Sequence, residues 1–353
     1  MKTVSYVDRI VSQDPVIHLN CRAHQILALL YSRNADVDLL YCSAFFDTGR
    51  IYDHVYRKGL YRWSYEYDYV EQRALSILGV SVRRYGTLPF DDFYALARGA
   101  IAHDDALSFF APRSQIPYQS DYLRAMGVPV EGFLPHSFLL CGAARSSGDL
   151  LIRDDATLNH EFANFTVDDE TITKGYETSP SEWFADVTMV EMSTSESCVD
   201  LAERIYIDTL DLNRDDHELY DVLRDAIPTE LQRLPHLFAA SGLNALSMIA
   251  GSRLLFGRFL KRTTHSAEAK ALARGTVRTA CAMLDAVTNL YAKPDPIAMG
   301  LVQRGLAELR NKDEVLLRQL KDECAAARSA HARIVTERQT GMPPAGSLQY
   351  GGR

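Results

Sequence analysis

An α+β half followed by an all-α half is the architecture this sequence predicts, and two observations predict it. Up to about residue 190, short helical segments alternate with short apolar or alternating segments of strand length. Beyond about residue 195 only helical periodicity remains. The length of 353 residues suits two domains. We divide the chain into residues 1–193, residues 194–338 and a Gly/Pro-containing tail, 339–353, whose composition predicts disorder.

In chain order, the first helix is expected over 21–33, where Asn20-Cys21-Arg22 leads into Ile26-Leu27-Ala28-Leu29-Leu30. Further helices are expected over 69–79 and 90–103. Strands are expected over 80–85, 106–110, 133–143, 149–153 and 183–192. Helical periodicity then covers 197–211, 215–227, 229–240, 243–263, 266–292, 296–312 and 314–336. Breaks are expected near Pro228, Gly242 and Pro294-Asp295-Pro296.

Composition narrows the function classes. A 47% apolar and 24% charged chain is ordinary for a globular protein with a real core. A net charge of −8 argues against generic nucleic-acid binding, which needs a basic face. The N-terminus lacks the apolar core of a signal peptide, and the stretch Leu243 to Leu260 is interrupted by Arg253 and Arg258. A cytoplasmic location with no membrane association is therefore the expectation. Six cysteines (21, 42, 141, 198, 281 and 324) show no CxxC spacing, so neither a zinc ribbon nor a disulfide framework is predicted.

Only Cys21 combines a polar approach with a helix behind it. A thiol in the first helical turn feels the positive end of the helix dipole, which favours the nucleophilic thiolate. His136 opens an apolar strand 115 residues later, and the next strand delivers Asp154. Nucleophilic cysteine chemistry needs a thiolate, a base and a group that orients the base. These roles fall to Cys21, His136 and Asp154. Asp155 would point to the opposite face if its strand continued. The candidate oxyanion donors are the Cys21 backbone N–H and Gln13, the only glutamine shortly upstream.

Two competing readings use neighbouring residues. His18, Cys21 and His24 could ligate a metal, but no fourth ligand is near and His18 is expected to be extended, so no metal is assigned. His103-Asp104 resembles a phosphohydrolase doublet but ends a helix before a turn. Residues 31–69 carry eight of the eighteen tyrosines. Core packing is their default role; Phe45, Phe46, Tyr52, Tyr56 and Trp63 are the candidates for a substrate-cleft wall.

Asn20-Cys21-Arg22-Ala23-His24-Gln25-Ile26-Leu27, with Pro135-His136-Ser137-Phe138-Leu139-Leu140 and Leu151-Ile152-Arg153-Asp154-Asp155, resembles the papain-like core of bacteriocin leader-processing peptidases. It is more similar still to the butirosin-biosynthesis acyltransferase type. The resemblance covers roughly residues 15–190. It implies a papain-like N-terminal half, in which the helix bearing the cysteine packs on an antiparallel sheet. It also implies a cysteine enzyme that takes an acyl chain from an acyl carrier protein thioester and passes it to an amine in natural-product biosynthesis. Three positions depart from the pattern. Pro15 stands where the peptidases have glutamine, Arg22 stands where many have glycine, and Asp155 replaces a common proline.

On this reading no cofactor is bound, the substrate being carried on the phosphopantetheine of the partner, and a homodimer is left open. Acids outnumber Lys/Arg eleven to three over 194–230, and basic residues dominate 251–280. Arg253, Arg258, Lys261, Arg262 and Arg274 are the candidate dock for an acidic carrier protein; solvated helix faces are the alternative. A cysteine hydrolase with the same triad, either peptidase or thioesterase, and a non-catalytic binding or scaffold protein are the competing functions.

Overall fold

The computed structural model describes residues 1–11, 19–59, 68–85, 88–125, 130, 135–144, 148–157, 161–178, 187–192, 198–233 and 240–340. The fold is α+β. A seven-stranded sheet consists of β1 (Lys2–Thr3), β2 (Val80–Arg84), β3 (Leu107–Pro112), β4 (Pro135–Ala143), β5 (Leu150–Asp154), β6 (Ala163–Val167) and β7 (Thr188–Met192). Its order is β2-β7-β3-β4-β5-β6, with β1 on β4, and every pairing is antiparallel. The helices of the first half are α1 (Cys21–Ser32), the short α2 (Thr48–Ile51) and α3 (Gln72–Leu75), α4 (Phe90–Ala102), α5 (Pro117–Ala125) and α6 (Asp169–Glu177). The second half contains α7 (Val199–Leu212), α8 (Glu218–Arg233), α9 (Ser241–Lys261), α10 (Ala267–Ala292) and α11 (Pro296–Thr340).

Strand alternation sends the two faces of the sheet into different apolar clusters. From β4 and β5, Phe138, Leu140, Leu150 and Ile152 join Phe93, Ile101 and Ile172 of α4 and α6. Leu139, Cys141 and Leu151 face the other way, into a cluster with Leu27, Leu29 and Leu30 of α1. That second cluster does not stop near residue 194. It continues through Tyr206, Leu223, Phe256, Leu284, Leu306 and Leu320, so α7 to α11 pack into the core that also holds α1.

Several boundaries differ from expectation. α8 runs through Pro228, where a break is expected. A helical proline leaves the carbonyl four residues back without its donor. Here that carbonyl, Arg224 O, accepts from Gln303 Nε2 of α11 at 3.5 Å, so tertiary contact compensates for the lost bond. α11 is likewise one helix where two are expected. The sequence expectation omits β6, α5 and α6; α5 has Pro117 at its first position, a recognised helix-start signal. No helix of the described residues is long and apolar enough to cross a membrane.

Candidate active site

The site lies at the β4 and β5 end where α1, from one face of the sheet, meets α5, from the other. Asn20 caps α1: its backbone is extended (φ −79°, ψ 161°) and its side-chain oxygen accepts from Ala23 N at 2.7 Å. That cap places Cys21 at the first helical position, half-buried, with the helix dipole behind it. The helix is fixed by its rear face. Residues 23 to 30 are all buried. Gln25 Nε2 donates to Ser137 O at 2.6 Å, and Gln25 Oε1 accepts from the Ser137 hydroxyl. Ser108 of β3 completes this buried polar group, 2.8 Å from Ser137 Oγ.

β4 supplies two contacts from adjacent residues. The Ser137 backbone N–H donates to Cys21 Sγ at 3.3 Å. His136, on the opposite face, packs edge-on against Phe138 and is buried. His136 Nε2 lies 2.9 Å from Asp154 Oδ1. The other ring nitrogen is thereby left to the thiol side. Burial alone would lower the His136 pKa, but the Asp154 carboxylate and Cys21 outweigh it by charge and hydrogen bonding. The result is an imidazole raised to about 10. A protonated His136 held by Asp154 can give a proton to a group on its Cys21 side.

Asp154 is fully buried and each of its oxygens is occupied. Oδ1 accepts from His136 and from Asp155 N at 2.9 Å; Oδ2 accepts from the Tyr118 hydroxyl at 2.9 Å and from Gln119 Nε2. Gln119 is held in turn by Arg113 Nε at 2.7 Å. Burial and the Asp154 charge push the Tyr118 phenol well above its usual range, so it stays a donor. Tyr118 and Gln119 of α5 thus support the Asp154 carboxylate, a contact that sequence reasoning missed. His136, Asp154 and Asp155 bring potential ligand atoms within 4.8 Å of one another. Four donors already occupy Asp154, so the arrangement is a hydrogen-bonded relay and not an open cation cage.

Asp155 lies just past the end of β5 and, as strand alternation anticipates, points to the face opposite Asp154: Asp154 meets α5 and Asp155 meets α1. Its Oδ2 lies 2.8 Å from His24 Nδ1. Burial would raise the Asp155 carboxyl, but His24 and His136 outweigh it and hold the group at about 2. His24, weighed in the sequence as a possible metal ligand and not assigned as one, is thus committed to a carboxylate.

Cys21, His136 and Asp154 come together as expected; the other candidates do not join them. Gln13, His18 and Trp63 lie outside the described residues. Phe45 and Phe46 are core residues and not cleft walls: Phe45 packs against Phe256, with the Arg253 guanidinium 3.9 Å from its ring centroid, and Phe46 stacks on Tyr69. Tyr52 and Tyr56 stack on each other, and Tyr56 feels the charge of Glu230 on α8.

The basic stretch is also largely committed. Arg253 is a correction: it is 1% exposed, bonded to Asp313 through Nε at 2.9 Å and to Phe46 O through Nη1 at 2.8 Å. A guanidinium in the core cannot dock a partner. Arg258 pairs with Asp38 at 2.7 Å and Arg262 with Asp36, pinning α9 to the 3-10 turn Val37–Ser43. Lys261 and Arg274 are exposed. No protein-family model matches the chain, and no curated protein matches it.

Proposed function

We propose that the protein is a papain-like cysteine acyltransferase, with Cys21 as nucleophile, His136 as proton carrier and Asp154 as the group that orients His136. The single observation carrying this reading is the placement of a helix-capped thiol against a buried histidine whose far nitrogen is fixed by a fully satisfied carboxylate. Each element of that placement has a chemical use. The dipole and the imidazolium stabilise the thiolate; Asp154, Tyr118 and Gln119 fix the ring.

In the proposed reaction the Cys21 thiolate attacks the carbonyl carbon of an acyl thioester. The donor thiol leaves with the proton from His136, and a thioester to Cys21 remains. An amine then attacks that carbonyl, His136 takes up the amine proton, and the Cys21 thiolate departs as the amide forms. The donor assigned here is an acyl chain on the phosphopantetheine of a carrier protein. That assignment rests on the similarity of the motifs around Cys21, His136 and Asp154 to the butirosin-type acyltransferases.

The test is intact-mass analysis after mixing the protein with an acyl-pantetheine thioester, with and without a trial amine. An acyl adduct on Cys21, absent from Cys21→Ala and discharged to amide by the amine, is the expected result. Free acid in the presence of amine would make the protein a thioesterase. No adduct and no thioester loss would overturn the cysteine reading altogether.

A further inference from the structure

Asp154 and Asp155 are consecutive, both are buried or nearly so, and each carries a different histidine. Asp154 holds His136 of β4; Asp155 holds His24 of α1, one helical turn beyond Cys21. The His24 ring is 1% exposed and lies 4.8 Å, centroid to centroid, from Phe162. An ionisable ring on a buried helix face invites an explanation, since an apolar residue would pack there without desolvating a polar group.

We propose that His24 and Asp155 form a second histidine–carboxylate pair, which seats the first turn of the nucleophile helix and holds a second carboxylate charge beside His136. The inference rests on the reading of Cys21 as nucleophile and adds two positioning residues to it. Three observations support it. The pair spans α1 and the end of β5, so it ties the helix bearing the thiol to the strand bearing the triad acid. Ligand atoms of Asp155 and His136 lie within 4.8 Å of each other. The interaction between them is electrostatic and favourable, because His136 is among the groups holding Asp155 ionised.

The groups around this pair define what it can do. His136 and Asp154 adjoin Asp155, and Cys21 lies on the far side of His136. Tyr118 and Tyr122 of α5 both feel the Asp155 charge, and Arg113 sits over the Tyr122 ring. Arg113 is the permanent cation in this set, and it is engaged with Gln119 and Tyr122. Asp155 therefore favours the protonated form of His136. It does so without touching His136's hydrogen-bonded nitrogen, which Asp154 occupies. Asp155 and His24 are positioning residues, acting through His136 and through the helix.

The experiment is an NMR titration of the His136 Cε1–H resonance, assigned with His136→Gln, in the wild type, in Asp155→Asn and in His24→Gln. Removing one nearby carboxylate charge shifts a pKa by about one to three units. In Asp155→Asn the His136 midpoint should fall by about one unit or more; an unchanged midpoint overturns the proposal. In His24→Gln the carboxylate remains, so the midpoint should not fall, while alkylation of Cys21 by iodoacetamide should slow as the helix turn loosens. A drop of equal size in both variants would mean general loosening and would also overturn it. Asp155→Ser gives the same reading if Asp155→Asn does not fold. Wild-type Cys21 alkylation at pH 6 separately tests the underlying reading. A slow, unactivated thiol there would remove the nucleophile without bearing on the effect of Asp155 on His136.

Discussion

The Cys21 thiol has a backbone donor, Ser137 N, and a titratable partner, His136, so removing each group should leave a different signature. Cys21→Ala should abolish acyl-adduct formation. His136→Gln should keep the thiol but slow its alkylation at pH 6, because the imidazolium that stabilises the thiolate is gone. Asp154→Asn keeps an amide oxygen for the His136 N–H but removes the carboxylate charge and sets an NH2 against the Gln119 donor, so turnover should fall, and fall further in Asp154→Ala, which removes the acceptor as well. Stability should respond to His136 as well. A pKa raised to about 10 from the ordinary 6.5 means that the folded state keeps a proton the unfolded chain has released. That stabilisation is fully present below about pH 6.5 and is lost as pH climbs toward 10. Urea midpoints measured across that window should fall in the wild type and fall less in His136→Gln.

How much of this site was legible in the sequence depends on how local each signal is. Asn20-Cys21 is a helix cap read from adjacent residues, His136 opens one apolar segment and Asp154 closes the next. Alternation gave the side on which Asp155 lies, but its partner His24 was hidden because it is 131 positions away in the chain. Tyr118 and Gln119 were missed with their helix, although Pro117 marked its start. Arg253 misled for the opposite reason. A run of basic residues reads as surface, and the acid that buries this one is sixty positions away.

Among the elements, β4 and α8 carry the sharpest tests. At Gly142, beside the β4 register shift, an added Cβ would meet Leu151 Cβ and Thr3 Cγ2 at 2.9 Å and Lys2 O at 3.1 Å. Because one neighbour is backbone, Gly142→Ala should destabilise by about 1–3 kcal/mol, read from denaturant midpoints. β1 should be the first element to lose hydrogen-exchange protection. In α8, Pro228→Ala restores the missing donor to Arg224 O. A higher Tm is expected, since proline inside a helix costs about 3 kcal/mol before compensation.

Across the whole molecule, Arg253 joins parts distant in sequence. It bonds Phe46 O from the first half and Asp313 from α11, and the Tyr220 hydroxyl of α8 donates to the same carboxylate. Breaking such a pair leaves one buried charge unpartnered, a loss of about 3–5 kcal/mol. Asp313→Ala should therefore be severely destabilising, whereas the double variant Arg253→Met with Asp313→Leu should recover much of the loss. Equal instability in both would assign the effect to packing. A second whole-molecule response lies in acid. Burial would raise Asp215, but His217 and Thr48 outweigh it and hold the carboxyl at about 2. Its contribution is present above about pH 4 and is lost as pH falls toward 2.

The continuity of the core from α1 to α11 also sets an order of assembly during synthesis. The sheet face lined by Phe93, Phe109 and Ile172 can close from segments made early. The cluster that holds α1 continues to Leu306, Leu316 and Leu320, and Arg253 has no carboxylate until Asp313 is made. The proposed nucleophile, near the beginning of the chain, thus belongs to a core that is completed only by residues near its end. A ribosome-bound chain stalled before α11 should expose Cys21 without its reactivity, and release of the full chain should switch that reactivity on.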